Sequence, residues 1–375
     1  MDVLIFKGNR EKFCRKIKSI KNQMSFEELV TLTDNIKIFS NYKENIELAF
    51  SKYLDSKVNI ISYTNSYSSI TEGGIQGMAA IVSPLQKYIE GIYLQNPPKV
   101  IEDSVLRDSL FNCTEEVTAF DSISLEKLME MKDTINTRII GQTMAKKEIL
   151  VSLYKKIRLD DGKPIVLMLY GPSGVGKTET AKFISQTLNG KNTFFRKQMS
   201  MLSSNEYFTY IFGGKHNEIT LSKELLERKS NVILFDEFDK CSSVFYSSFY
   251  QMFDEGYYED RNYKVDLSNA IIICTSNFKN TEEIRKTVGD PIFYRFDKLI
   301  EYKDLSLEEQ KQIIKLIISN QYQNFSDSEK KEISLDSLIN SYTKLLVGKL
   351  KNFRQAEKII SDGIWNELFD KNYTI

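Results

Sequence analysis

Eight consecutive residues have the types and spacing that bind a nucleotide phosphate. They form a complete G-x-x-x-x-G-K-[ST] pattern made of Gly171, Pro172, Ser173, Gly174, Val175, Gly176, Lys177 and Thr178. Glycines in such a loop let backbone N–H groups surround phosphate oxygens, and the helix that follows adds partial positive charge. The pattern predicts that Lys177 reaches the β- and γ-phosphates and that Thr178 ligates Mg²⁺. We therefore expect ATP and Mg²⁺ as cofactors.

A pair of carboxylates follows a second apolar run. Residues 231–237 read Asn-Val-Ile-Leu-Phe-Asp-Glu, so four apolar residues lead directly into Asp236 and Glu237. A buried strand delivers such acids to its carboxyl end, where α/β sheets bind their ligands. The spacing predicts that Asp236 holds Mg²⁺ through water and that Glu237 polarises the attacking water.

Three more polar residues could complete a site for phosphoryl transfer. Asn277 ends the run 270–277 and could orient the attacking water or touch the γ-phosphate, although an Asn that caps a turn is the ordinary alternative. Arg295 and Arg354 could stabilise the charge that spreads over the transferred phosphoryl group. For either arginine taken alone, a surface salt bridge is the simpler interpretation.

The elements that must position these residues alternate regularly. Strand-like runs occupy 165–170, 194–199, 231–235, 270–275 and 298–302, with helical stretches between them. This alternation predicts a parallel sheet with helices on both faces. After residue 302 the chain reads as helical only. We expect three domains, at 1–125, 126–305 and 306–375.

Composition excludes several classes of protein. The 375 residues include 51 Lys and Arg against 51 Asp and Glu, which argues against bulk electrostatic binding to nucleic acid. A single histidine excludes His-clustered metal sites and disfavours a Ser-His-Asp hydrolase. Four cysteines without a CxxC pair indicate a reduced, cytoplasmic protein without a zinc site. We expect no signal peptide, no membrane-spanning segment and no membrane partner.

The first 125 residues contain no motif to which chemistry can be attached. Basic residues are frequent near their start: Lys7, Arg10, Lys12, Arg15, Lys16, Lys18 and Lys21. A solvated helix face is the favoured interpretation, and a basic arm for nucleic acid or an acidic partner is the alternative. Nucleic acid therefore stays a possible partner without support from a motif.

The order of the motifs resembles a known family. From about residue 138 to 360 the chain resembles the AAA+ ATPase module of Clp-type unfoldases and disaggregases, in particular their C-terminal ATPase ring. The residues that carry this resemblance lie in five segments: Ile-Ile-Gly-Gln at 139–142, the loop at 171–178, Leu-Phe-Asp-Glu-Phe-Asp-Lys at 234–240, Phe-Tyr-Gln-Met-Phe-Asp-Glu-Gly at 249–256 and Thr-Ser-Asn at 275–277.

The resemblance implies a fold and a set of roles. The fold would be an α/β AAA+ P-loop NTPase with a parallel five-stranded sheet and a C-terminal α-helical lid. A mainly helical or α+β N-terminal domain would precede it. By the same resemblance, Ile139 and Ile140 line the adenine pocket, and Lys177 and Thr178, with Thr180 beside them, form the Walker A motif. Asp236 and Glu237 form Walker B, and Asn277 is sensor 1. Arg295 is the arginine finger, and Arg354 is sensor 2. A finger that reaches a neighbouring subunit implies a ring, expected to be a homo-hexamer.

Two segments depart from the family pattern. Clp rings have a Gly-Tyr-Val-Gly-type loop whose aromatic residue grips a threaded polypeptide, whereas the matching segment 211–219 has no aromatic residue flanked by glycines. Residues 278–294 would contain the peptidase-docking loop, but they lack an Ile-Gly-Phe or Ile-Gly-Leu tripeptide. We therefore expect no Clp-type peptidase as a partner.

Three functions agree with these observations. The first is an ATPase that remodels a protein client through conformational change of its ring. The second is an ATP-controlled switch or assembly scaffold for one dedicated protein partner, without polypeptide threading. The third is a nucleic-acid-associated ATPase, suggested by the basic residues near the N-terminus.

Overall fold

The computed structural model describes residues 1–37, 57–120, 122–159, 161–190, 193–350 and 353–372. The chain divides into two compact units. The N-terminal unit comprises residues 1–121, 204–231 and 244–269, and the phosphate-loop unit comprises residues 122–203, 232–243 and 270–375. Two segments from the middle of the chain thus pack with the N-terminal residues. The domain boundaries expected from the sequence stay a prediction.

The strands, numbered along the chain, are β1 Asp2–Lys7, β2 Gln23–Ser25, β3 Val58–Ser62, β4 Ile89–Gln95, β5 Asn112–Val117, β6 Ile165–Tyr170, β7 Phe195–Gln198, β8 Val232–Asp236, β9 Tyr257–Glu259, β10 Lys264–Asp266, β11 Ile271–Thr275 and β12 Lys298–Glu301. The α-helices are Arg10–Lys16, Phe26–Lys37, Glu72–Gln76, Met78–Val82, Lys99–Arg107, Leu125–Arg138, Thr143–Leu159, Lys177–Asn189, Phe208–Phe212, Leu221–Leu226, Tyr250–Asp254, Thr281–Val288, Asp290–Phe293, Leu307–Tyr322, Asp327–Glu332, Leu335–Leu346 and Phe353–Asn372.

The sheet of the phosphate-loop unit has the strand order β12-β6-β11-β8-β7, and all its pairings are parallel. Every residue of β6, β8 and β11 is buried, because helices cover both faces of such a sheet. The five strand-like runs predicted from the sequence coincide with these five strands. The predicted α/β fold with a parallel five-stranded sheet is confirmed.

The helical lid has its own hydrophobic core. Its long helices, Leu307–Tyr322, Leu335–Leu346 and Phe353–Asn372, bury one apolar face each against the others. The first of them begins with a capping box, in which the Ser306 side chain accepts from the backbone N–H of Glu309 and the Glu309 side chain accepts from the backbone N–H of Ser306.

The N-terminal unit contains a second parallel sheet, with the order β2-β3-β4-β1-β5. Its strands alternate with helices, an arrangement more regular than the mainly helical or α+β domain expected for these residues. Numbered within each set of five, both sheets read fifth, first, fourth, third, second from one edge to the other. Within the described residues, no helix is long and apolar enough to cross a bilayer.

Candidate functional site

The phosphate loop joins β6 to the helix Lys177–Asn189, as its motif requires. Gly171, Gly174 and Gly176 have φ angles of 131°, 76° and 106°, a region that other residues rarely adopt. A Cβ atom on Gly171 would lie 2.1 Å from the carbonyl oxygen of Tyr302. The loop therefore needs glycine both for its backbone angles and for its close approach to the end of β12.

Lys177 lies over the mouth of this loop. Its Nζ donates to the carbonyl oxygens of Gly171 at 2.8 Å and Pro172 at 2.6 Å, and to Asn277 Oδ1 at 3.3 Å. Burial lowers the pKa of Lys177 to about 8, against the opposing effect of nearby carboxylates. Among the described residues, no carboxylate forms an ion pair with this ammonium group. A bound phosphate would supply the missing negative charge, so the loop fits a nucleotide.

Asp236 is the centre of a cluster of oxygen atoms. The Thr178 hydroxyl donates to Asp236 Oδ1 at 3.2 Å, and the Thr275 hydroxyl donates to the same oxygen. Arg196 pairs with Asp236 Oδ2 at 2.5 Å. Hydroxyl and carboxylate oxygens are the ligand types that Mg²⁺ prefers. The two residues predicted to hold the metal therefore lie together, and their chemistry fits Mg²⁺.

Glu237 has a constrained backbone. Its φ and ψ are 56° and 49°, in the left-handed region, where a residue with a side chain costs about 1 kcal/mol. Its N–H donates to the Thr275 hydroxyl at 3.1 Å, which holds this conformation at the end of β8. The backbone thereby fixes the position of Glu237 at the carboxyl edge of the sheet.

Thr275 is a positioning residue to which the sequence interpretation assigned no role. Its hydroxyl donates to Asp236 and accepts from the backbone N–H of Glu237, so one side chain orients both acids. Its role follows from the register of the strands, which only the structure shows. Cys274 pairs with Phe235, which makes Thr275 the lateral neighbour of Asp236. Arg196 was likewise missed, because β7 contributes no contiguous motif.

We expect Thr275→Val to lower ATP turnover about tenfold or more, with little change in nucleotide affinity. The substitution conserves shape but removes the hydrogen bonds that orient Asp236 and Glu237, and it leaves buried polar groups without a partner. Steady-state phosphate release and calorimetric titration with a slowly hydrolysed ATP analogue measure the two quantities. Thr275→Ser, which retains the hydroxyl, should stay near the wild-type rate. Equal rates for the valine and serine variants would contradict this role.

The two predicted arginines lie in different surroundings. Phe353, the first residue of the last lid helix, donates its N–H to the Gly174 carbonyl at 3.1 Å, which links the lid to the phosphate loop. The next residue, Arg354, is exposed, and its charge contributes to the lowered pKa of Lys177. Arg295 instead donates to the Pro291 carbonyl at 2.5 Å within its own turn. Its action on a neighbouring subunit stays a prediction.

The predicted adenine segment lies between the loop and the lid. Ile139 is buried in the sheet core beside Gly176, while Ile140 packs against the lid core. Gln142 holds the segment in place through two bonds to the backbone of Lys303, at 2.7 and 3.1 Å. Its contact with the adenine base stays a prediction.

Thr180 supports the phosphate loop from below. Its fully buried hydroxyl donates to the Gly176 carbonyl at 2.9 Å and accepts from the Tyr302 hydroxyl at 2.9 Å. These bonds tie the first turn of the helix to β12. Its predicted contact with the nucleotide stays a prediction.

This fold and site are those of a phosphate-loop nucleotide-binding protein. Residues 163–334 match the family model described as AAA domain (Cdc48 subfamily). Because the matched region contains the phosphate loop, both acids of β8 and Asn277, the sequence-based resemblance to Clp-type AAA+ ATPases is confirmed.

Curated relatives make the likeness more specific. The chain is 25% identical over 307 residues to the ATP-dependent Clp protease ATP-binding subunit ClpC of Staphylococcus saprophyticus, covering 68% of this chain and 36% of that protein. It is 23% identical over 343 residues to the chloroplastic chaperone protein ClpB3 of Arabidopsis thaliana, covering 81% of this chain and 35% of that protein. The chain thus spans about a third of the length of these relatives.

A solved structure of similar fold covers nearly the whole chain. It is a closed-state reconstruction of Hsp104 with ATPγS and FITC casein, at a TM-score of 0.54 and 16% identity. The similarity extends over 98% of this chain and 87% of that one, so it includes the N-terminal unit. At this level of identity it concerns the fold alone.

Proposed function

We propose that this protein hydrolyses ATP and uses the resulting conformational change to remodel a protein partner. The observation that supports the proposal is the convergence of Lys177, Thr178, Asp236, Glu237 and Asn277 at one edge of a parallel sheet. Each of these groups has a task in phosphoryl transfer to water, and the sheet brings them together without help from another chain.

The tasks divide by chemistry. Lys177 would hold the phosphate oxygens, and Thr178 and Asp236 would hold Mg²⁺, which would supply positive charge to neutralise the phosphates. Glu237 orients the attacking water and accepts its proton. Asn277, which already contacts Lys177, fixes the position of that water or of the γ-phosphate.

The lid is the element through which hydrolysis would produce motion. The bond between Phe353 and Gly174 connects the last lid helix to the loop that holds the phosphates, and Arg354 follows it directly. Release of the γ-phosphate would alter the interactions of this junction and move the lid. With Arg295 supplied to the site of a neighbouring subunit, the same motion would pass around a homo-hexamer.

A specific observation favours the second candidate, an ATP-controlled switch for one dedicated partner. The segment that matches the polypeptide-gripping loop contains one aromatic residue, Phe212, whose ring packs at 4.5 Å from Phe208 and 6.2 Å from Phe245 between centroids. The peptide group between Phe212 and Gly213 makes two backbone hydrogen bonds. The Gly213 N–H donates to the Thr209 carbonyl, and the Phe212 carbonyl accepts from the Arg261 N–H. An aromatic ring packed in this way is poorly suited to gripping a moving chain.

Binding of an unfolded protein distinguishes the two candidates. The Glu237→Gln variant, held in its ATP state, should bind fluorescein-labelled casein with a rise in anisotropy that ATP induces and ADP reverses. The Lys177→Ala variant is the matched control, which should show no rise. Absence of casein binding, together with one stoichiometric protein that co-purifies with Glu237→Gln from its native cell, would overturn remodelling and support the switch.

A further inference from the structure

The N-terminal sheet has the strand order of the ATPase sheet, so its ligand crevice can be located. In the phosphate-loop unit the site lies at the carboxyl ends of the first and fourth strands, β6 and β11, which are neighbours in the sheet. In the N-terminal unit the corresponding neighbours are β1 and β4. Ligands of open α/β sheets bind at such a point, where the strand order reverses.

This second crevice has no phosphate loop. After β1 the chain passes through Gly8 and Asn9 straight into the helix Arg10–Lys16. The connection has two residues, and it lacks the glycine, lysine and threonine pattern of residues 171–178. The crevice therefore cannot hold a triphosphate in the way that the other one does.

A carboxylate of the protein itself occupies the crevice instead. Glu227, from a segment that packs with this unit, accepts at Oε1 from the Thr64 hydroxyl at 2.6 Å and from Gln95 Nε2 at 2.6 Å, with Asn96 Nδ2 at 3.3 Å. Its other oxygen, Oε2, accepts from the backbone N–H of Arg10 at 2.8 Å. Four donors from the ends of three strands thus converge on one carboxylate.

The donors are held in place by bonds among themselves. Thr64, Gln95 and Asn96 are at most 2% exposed. Asn96 Oδ1 accepts from the Gly8 N–H at 2.8 Å, and Gln95 Oε1 accepts from the Thr64 N–H at 3.4 Å. With both amide oxygens used, the NH₂ groups face Glu227. The crevice is therefore prearranged for an anion.

The neighbours of Glu227 reinforce the attachment. The carbonyl of Arg228 accepts from Asn9 Nδ2 at 3.4 Å, and Lys229 pairs with Glu11 at 2.9 Å. Three consecutive residues thus contact either the connection after β1 or the first turn of the helix that follows it. The chain then continues through residues 230–231 into β8, which ends in the two acids of the ATPase site.

We propose that the N-terminal unit is a nucleotide-free counterpart of the ATPase fold, whose ligand crevice takes the Glu227 carboxylate as a built-in anionic ligand. This contact between Glu227 and the crevice anchors the segment 204–231 to the N-terminal sheet. This anchor does not depend on ATP hydrolysis, since it is built on a different sheet from different residues.

The anchor is tested by hydrogen exchange on the full chain. Glu227→Gln replaces an acceptor with an amide whose NH₂ faces four donors, so amides within 204–231 should exchange about tenfold faster. Glu206→Gln, an exposed Glu in the same segment, should leave exchange unchanged. Glu227→Asp keeps the charge, so its exchange rate should fall between those of the two glutamine variants. It replaces Glu227→Gln in the test if that variant does not fold. Exchange in Glu227→Asp or Glu227→Gln equal to that of Glu206→Gln would overturn the anchor.

The nucleotide-free character is tested by stoichiometry. Calorimetric titration with ATPγS should give one site per chain in the wild type, and Lys177→Ala should weaken that site about a hundredfold. A second site per chain whose affinity Lys177→Ala leaves unchanged would overturn the proposal, because it would place a nucleotide in the N-terminal unit. If the wild type does not hydrolyse ATP while Glu227→Gln still shows faster hydrogen exchange, only the proposed function is contradicted.

Discussion

The Glu237→Gln variant should bind ATP with wild-type affinity and hydrolyse it at least about a hundredfold more slowly. The substitution keeps the size and the polar character of the side chain but removes its capacity to accept a proton from water. Binding should survive, because the contacts predicted for the phosphates and Mg²⁺ come from Lys177, Thr178 and Asp236. Phosphate release under saturating ATP and filter binding of labelled ATP measure the two properties separately.

The backbone of Glu237 explains why this effect should be large. A left-handed φ of 56° is held by one hydrogen bond from the Glu237 N–H to the Thr275 hydroxyl, so the backbone that carries the carboxylate is fixed beside Asp236. Glu282→Gln, at an exposed position on the helix Thr281–Val288 of the same unit, is the matched control and should hydrolyse ATP normally. Normal turnover in Glu237→Gln would show that another group activates the water.

Lys177→Ala should weaken ATP binding by about a hundredfold or more, and hydrolysis should disappear with it. Lys177 is 7% exposed, and its ammonium group donates to two loop carbonyls and to Asn277. Its removal leaves the loop without the charge that attracts phosphate. In thermal unfolding, ATP should raise the midpoint of the wild type and leave that of the variant unchanged, because stabilisation by a ligand requires binding.

Lys182→Ala provides the comparison on the same helix. Its side chain is 48% exposed and pairs with Glu179 at 3.9 Å, so its loss should change neither ATP affinity nor the midpoint. An Lys177→Ala protein that keeps wild-type affinity would refute the role of the loop lysine. Together the two main variants separate the steps, since one stops binding and the other stops only turnover.

Features that depend on contiguous residues could be predicted before the fold was known. The loop at 171–178 is one uninterrupted motif, and its glycines are the residue type that the backbone of such a loop requires. The runs 165–170 and 231–235 are apolar throughout, which is typical of strands covered on both faces. Since strand, motif and helix follow one another directly, their relation in space follows from their order in the chain.

Other parts of the site depended on pairing between distant segments. The contact of Thr275 with Asp236 is set by the register of β11 on β8, which no local pattern expresses. Arg196 reaches Asp236 because β7 lies beside β8, on the edge of the sheet. Such contacts are decided by tertiary packing, and a single sequence does not specify which polar side chains become neighbours.

The N-terminal unit is the clearest case of a site that its sequence does not reveal. Its strands have no phosphate motif between them, and the residues that build its crevice, Thr64, Gln95 and Asn96, are ordinary polar types. They form a site only because folding brings Glu227, more than 130 residues away along the chain, into contact with them. A contiguous motif states its chemistry in the sequence, whereas a site assembled from single residues on separate strands exists only once the sheet has formed.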